Sequence, residues 1–103
     1  MPHSIRLREP WQRTTIEETA QFRRHFGKPS GLDAQERVEL VIEGSAAVGK
    51  VVLNGVPLDS AAGDAFVCDI TQHLRPRNEL VITAASAGST KLGEVRLEIH
   101  SSE

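Results

Sequence analysis

Chemistry near neutral pH needs titratable side chains, and this chain offers His3, His25, His73, His100 and the single Cys68, with carboxylates scattered between them. A general base, a nucleophile or a metal ligand would come from that set, because imidazole and thiol titrate nearest to neutrality. The residues do not converge in sequence: no histidine stands at metal-ligand spacing from another or beside a nucleophile. Cys68 alternates with Phe66 toward a core face, where a cysteine behaves as a small, inert hydrophobe. The histidines read as solvated surface groups. No catalytic residue, no metal and no cofactor is expected.

Four residues remain as candidates for holding a ligand: Trp11, Arg24, Asn54 and Asp69. Each also has a plain structural reading. Asp69 has the chemistry to hold a calcium ion or a sugar hydroxyl, yet its place just before Ile70-Thr71 makes it a cap or an anchor at a strand end, and that reading is preferred. Asn54 precedes Gly55, and both residues tolerate left-handed backbone, so a turn explains Asn54 without a ligand. Alternation sends one of Arg23 and Arg24 toward the face of Phe22 and Phe26, where a buried charge demands a carboxylate partner. One of the two is then structural, and Arg24 stands as the ligand candidate. Sugar sites set an aromatic face against a pyranose. With no Tyr, and with three Phe that suit a core, Trp11 is the one available platform; its alternative task is to cover one end of the fold.

The elements that must position these groups follow from pattern. Ser4 to Arg8 alternates with Ile5 and Leu7 on one side, and Pro10 ends the run. Trp11 to Thr19 reads as an irregular start, Ile16 to Ala20 being open between strand and helix, and a strand follows over about Thr19 to Phe26. Gly27, Pro29 and Gly31 make a loop. Glu36 to Glu43 is the clearest strand, with Val38, Leu40 and Ile42 on one face and Arg37, Glu39, Val41 and Glu43 on the other. Gly44 to Gly49 is a small-residue turn. Lys50 to Asn54 is a strand with Val51 and Leu53 inward, and Asn54 to Leu58 is a tight reversal containing Pro57. Ser60 to Asp64 is a loop, and Ala65 to Asp69 returns as a strand with Phe66 and Cys68 inward. A short capped helical turn follows and ends before Pro76. Asn78 to Ala84 and Gly93 to His100, joined by the loop Ala85 to Thr90, complete the set. Short strands with turn signals about every ten residues, and no long helical period, predict an all-β sandwich.

Composition bounds the partners. One domain over residues 1–103 is expected, since a chain of 103 residues can bury one core. A single cysteine cannot form an internal disulfide, which fits a reducing compartment. Twelve Lys and Arg against fourteen Asp and Glu leave a formal charge of −2, with no electrostatic footprint for nucleic acid or an anionic membrane. The N-terminal MPHSIRLREPWQ contains no apolar run of signal-peptide length, and no stretch approaches the ~20 apolar residues of a membrane span. A cytoplasmic location is expected.

The order FRRHFGKP, ERVELVIEG, VVLNGVPL and CDITQHLRPRNELVI resembles the sugar-binding, jelly-roll domain at the N-terminal side of family 2 glycoside hydrolases, the β-galactosidase and β-glucuronidase group. The resemblance covers about Phe22 to Ile82. Its most specific pieces are Leu53-Asn54-Gly55 and Asp69-Ile70-Thr71 followed by Leu74, Pro76, Asn78 and Leu80. It implies a galactose-binding-like jelly-roll β-sandwich of two antiparallel sheets. It also implies a domain without catalytic residues, because in that family the catalytic carboxylates belong to a separate barrel. The expected function is therefore a noncatalytic module that binds carbohydrate weakly or assists a carbohydrate-active partner. The alternative is a small protein-interaction or structural module, for which sheet edges or a patch around Val41 and Val52 would serve. The oligomeric state is left open.

Overall fold

A computed structural model describes residues 3–8, 11–17, 19–29, 32, 35–43, 48–59, 65–84 and 93–101. Within them the strands are β1 (His3–Arg6), β2 (Gln12–Ile16), β3 (Thr19–Gly27), β4 (Glu36–Ile42), β5 (Val48–Leu53), β6 (Val56–Pro57), β7 (Phe66–Asp69), β8 (Arg77–Ala84) and β9 (Val95–Ser101). A 3₁₀ turn spans Thr71–His73. The strands form a four-stranded sheet in the order β1-β9-β4-β7 and a five-stranded sheet in the order β2-β3-β8-β5-β6. Each pairing is antiparallel. This is the all-β sandwich that the alternation predicts.

The inward positions are those of the period-two pattern. Val38, Leu40 and Ile42 of β4, with Val95, Leu97 and Ile99 of β9 beside them, share one core cluster with Val51 and Leu53 of β5 and Leu80 and Ile82 of β8 in the other sheet. Successive strand residues point to opposite faces, so a run such as ERVELVI delivers three apolar side chains inward and leaves Arg37 and Glu39 outside. Removing water from side chains of this size contributes about 1.5–3 kcal/mol each, which is what holds the two sheets together. Register is tight for the same reason, since a one-residue slip would turn each apolar set outward.

The turn chemistry is explicit at two places. Leu53 pairs with Val56 across a two-residue loop in which Asn54 has φ 52° and Gly55 has φ 83°; the hairpin twist demands left-handed backbone there, as the Asn-Gly pair predicts. Gly93 is required by a different constraint, because a Cβ at this position would collide with the Glu43 carbonyl where the ladder continues through the Glu43 N–H to the Glu94 carbonyl at 2.9 Å.

Three expectations need correction. The segment before β3 is not irregular: Gln12 to Ile16 pairs with Arg23 to Thr19 as the outer arm of a hairpin. The signal was hidden because the reversal carries Glu17 at φ 50°, a left-handed position where glycine or asparagine is the usual mark. Ile16 accordingly ends β2, Glu17 is in a turn, and Thr19 and Ala20 begin β3, where the sequence left strand and helix open. Val41 is not part of an exposed patch: it is 3% exposed and lies opposite Arg96, while Val52 is half-buried. Long arginine stems cover apolar neighbours in this way. Third, Arg24 meets backbone carbonyls and not the expected carboxylate. The expected loops at 60–64 and 85–90 lie outside the described residues.

Candidate functional site

Among the described residues an open polar cleft lies where β4, β7 and the 3₁₀ turn meet, lined by Arg37, Asp69, Thr71, Gln72 and His73 in a volume of about 420 Å³. Asp69 and Thr71 of the sequence CDIT line it. Asp69 stands opposite Glu39 at the end of the β4–β7 ladder. The Thr71 amide donates to Asp69 Oδ1 at 3.0 Å and the Thr71 hydroxyl donates to the same oxygen at 2.6 Å. The Thr71 hydroxyl oxygen in turn accepts from the Val38 amide at 2.8 Å, and the Ile70 amide donates to the Val38 carbonyl at 2.9 Å. Asp69 thus caps the turn from one residue before its Ile70 N-cap, as the sequence anticipates. The whole unit is stitched onto the end of β4.

Partial burial works against charge on Asp69, but the two bonds from Thr71, aided by the fields of Arg37 and His73, outweigh it and hold the carboxyl below its ordinary value. The carboxylate is therefore ionised at neutral pH while already occupied by Thr71. Arg37 and Gln72, both exposed, are the freer polar groups of the cleft. Cys68, behind Asp69 on the inward face and opposite Leu40, is half-buried and packs against the core. Burial, followed by the nearby charges of Asp69 and Asp59, pushes its thiol up. A raised thiol is a poor nucleophile.

Asn54 sits behind the cleft. Its Nδ2 donates to the His73 carbonyl and to Asn78 Oδ1, each at 3.0 Å, and its Oδ1 accepts from the Glu79 amide at 2.9 Å. Asn78 is 0% exposed and completes the network. It accepts from the Arg75 amide at 2.9 Å and donates to the carbonyls of Arg75 at 2.9 Å and Phe26 at 3.3 Å. Two amide side chains thereby bind the 76 region, the β5–β6 turn and the end of β3 into one piece, with each donor and acceptor satisfied as burial requires.

The fold is shared with a small part of two glycosidases. The FMN-binding β-glucuronidase from Facaelibacterium prausnitzii L2-6 superposes with a TM-score of 0.73 at 23% identity, covering 96% of this chain and 22% of that one. A β-galactosidase, described as putative, from Bacteroides fragilis superposes with a TM-score of 0.61 at 24% identity, covering 84% of this chain and 16% of the other. The likeness is one of fold, and this chain spans about a fifth of the length of those proteins. No family model matches the sequence, and no curated protein matches it either. Among the described residues no helix is long and apolar enough to cross a membrane.

On this sandwich the four candidate residues are dispersed. Asp69 lines the cleft and Asn54 supports it from behind through His73. Arg24 belongs to a second open hollow of about 310 Å³, shared with Gln12, Arg23 and His25. It lies in phase with Phe22 and Phe26 on the inner face, opposite Leu80, so Arg24, the expected ligand candidate, is the inward arginine of the pair and Arg23 the outward one. The expected carboxylate partner is replaced by backbone: Nε donates to the Arg8 carbonyl at 2.7 Å and Nη1 to the His25 carbonyl at 3.1 Å. Carbonyl oxygens suffice because the guanidinium stays half-exposed and keeps part of its hydration. Arg23 and His25 face outward and share Glu79 at 3.5 and 3.4 Å. Trp11 is half-buried against both apolar clusters, its Nε1 donating to the Leu7 carbonyl at 3.3 Å. That places it as a cover over the end of the core rather than among the residues lining either hollow.

Arg37 and Gln72 were not singled out from the sequence. Arg37 reads there as one more outward residue of β4, and only the docking of the turn onto that strand brings it beside Asp69.

Proposed function

We propose that this chain is a noncatalytic β-sandwich module that makes weak contacts to carbohydrate, on its own account or for a carbohydrate-active partner. The observation that carries the reading is the match of 96% of the chain to a portion, 22%, of a β-glucuronidase. The cleft of Arg37, Asp69, Thr71, Gln72 and His73 is the proposed contact surface. It presents an exposed guanidinium and amide together with an ionised carboxylate, the groups that hydrogen-bond sugar hydroxyls. No Trp, Phe or Tyr is among its lining residues, so the stacking that supplies much of sugar affinity is missing and binding is millimolar. The test is an NMR titration with a panel of mono- and oligosaccharides, uronic acids included. Shifts centred on Asp69, Thr71 and Gln72 support the reading; unmoved spectra at millimolar sugar refute it.

A second reading, an interaction module without a glycan ligand, draws on β2. This edge strand is exposed along its whole length, and Ile16 at its end is 51% exposed. An edge of this kind offers unpaired backbone groups to another strand. Light scattering that gives a monomer mass at high concentration, with no partner recovered by affinity capture, removes this reading.

A further inference from the structure

We propose that Glu39, Glu98 and His100 form a binding site for a divalent transition-metal ion of the zinc class on the outer face of the four-stranded sheet. Glu98 and His100 are two residues apart on β9, so their side chains leave the sheet on the same side. Glu39 faces Glu98 directly across the β4–β9 ladder. One ligand atom from each of the three lies within 4.8 Å of the others.

Two features separate this trio from an ordinary surface ion pair. His100 Nε2 is closed off from solvent and makes no hydrogen bond, although Glu39 Oε1 is 2.8 Å away and Glu98 Oε1 3.5 Å away. The carboxylate oxygens are within reach without completing a hydrogen bond to Nε2, and a shared cation would satisfy all three groups. In addition, donor atoms about 2.0–2.1 Å from a tetrahedral zinc ion are about 3.4 Å from each other, and the two separations at His100 fall on either side of that value. Arg96 acts as the outer partner: its Nε donates to Glu98 Oε2 at 2.8 Å, which fixes that carboxylate and leaves Oε1 turned to His100. Outer bonds of this type orient metal ligands.

The donor set selects the ion. One imidazole nitrogen with two carboxylates suits zinc, cobalt or nickel, whereas calcium and magnesium prefer oxygen donors throughout. Two carboxylates and a neutral imidazole balance a dication. Three protein ligands on a rigid sheet leave a coordination position for water or for a group from another molecule.

The experiment is a zinc titration of the chelator-stripped chain by calorimetry, repeated with H100A and E39Q and with H25A as control. One equivalent is expected at about micromolar affinity, weakened about tenfold or more by H100A or E39Q, unchanged in H25A and not displaced by magnesium or calcium. Should H100A fail to fold, cobalt added to the wild-type chain decides: paramagnetic perturbation of amides centred on Glu39, Glu98 and His100 upholds the site. Absence of zinc binding at about 100 μM, affinity unaltered by H100A and E39Q, or perturbation centred on His3, His25 or His73 overturns it. In those outcomes the trio is an ion pair that joins two strands.

Discussion

Replacing Asn78 by alanine tests whether the buried amide network, and not apolar burial alone, holds the cleft-bearing end of the sandwich. The side chain accepts from Asn54 Nδ2 and the Arg75 amide and donates to the carbonyls of Arg75 and Phe26. A hydrogen bond contributes a net ~0.5–1.5 kcal/mol, and each buried partner left bare costs ~1–3 kcal/mol. Arg75 is exposed, so water reaches part of what is vacated, whereas the Phe26 carbonyl belongs to a buried residue. The sum comes to about 3 kcal/mol, which in a domain of this size lowers the thermal midpoint by about 15 °C. N78D keeps both accepting roles but turns a carboxylate oxygen toward two carbonyls, and it is expected to be less stable than N78A because a buried charge is then unpaired. Urea denaturation followed by Trp11 fluorescence gives both values, with the slope unchanged if the unfolded state is unaffected. The N54A/N78A double mutant should show a coupling of about 1 kcal/mol. A loss below about 0.5 kcal/mol for N78A, or N78D more stable than N78A, would refute the reasoning.

Further outcomes follow from the same geometry. Asp69 titrates below its ordinary 3.8 in the folded state, so its contribution to stability is present above that value and fades as pH falls through the lower folded one. In D69N this acid-side loss is smaller, as denaturant midpoints measured from neutral pH down to the acid limb would reveal. T71V removes the acceptor for the Val38 amide and the donor to Asp69, and a loss of about 1–2 kcal/mol is expected in the same assay, with the Gln72 and His73 amides exchanging faster. G93A drives a methyl into the Glu43 backbone and should cost about 2 kcal/mol; a neutral result would mean that the β4–β9 end relaxes freely. R24A removes two bonds from a half-exposed guanidinium, so a change of no more than about 1 kcal/mol is expected.

The strands and the Asn54-Gly55 turn were legible because they depend on neighbours in sequence: alternation decides which face is apolar, and left-handed backbone decides which residues can turn. The role of Asp69 as an anchor was legible for the same reason, its partner Thr71 being two residues away. The β2–β3 hairpin was not, since its turn carries no glycine and its outer arm is polar on both faces, leaving neither turn signal nor apolar period to read. Arg24 could be placed on the inner face by counting, but its partners are backbone carbonyls, and side-chain identities say nothing about those. Val41 looked exposed until Arg96, far along the chain, was laid beside it.

By itself, then, the order of residues determined an all-β sandwich and its inward faces, because these rest on local period and turn chemistry. The tertiary structure alone decided what meets across the sheets. It set Arg37 beside Asp69, closed Asn54 onto Asn78, and brought Glu39 to Glu98 and His100. Antiparallel pairing makes neighbours of residues that sequence distance keeps apart, and ligand sets on a sheet are assembled by register, which no single strand encodes.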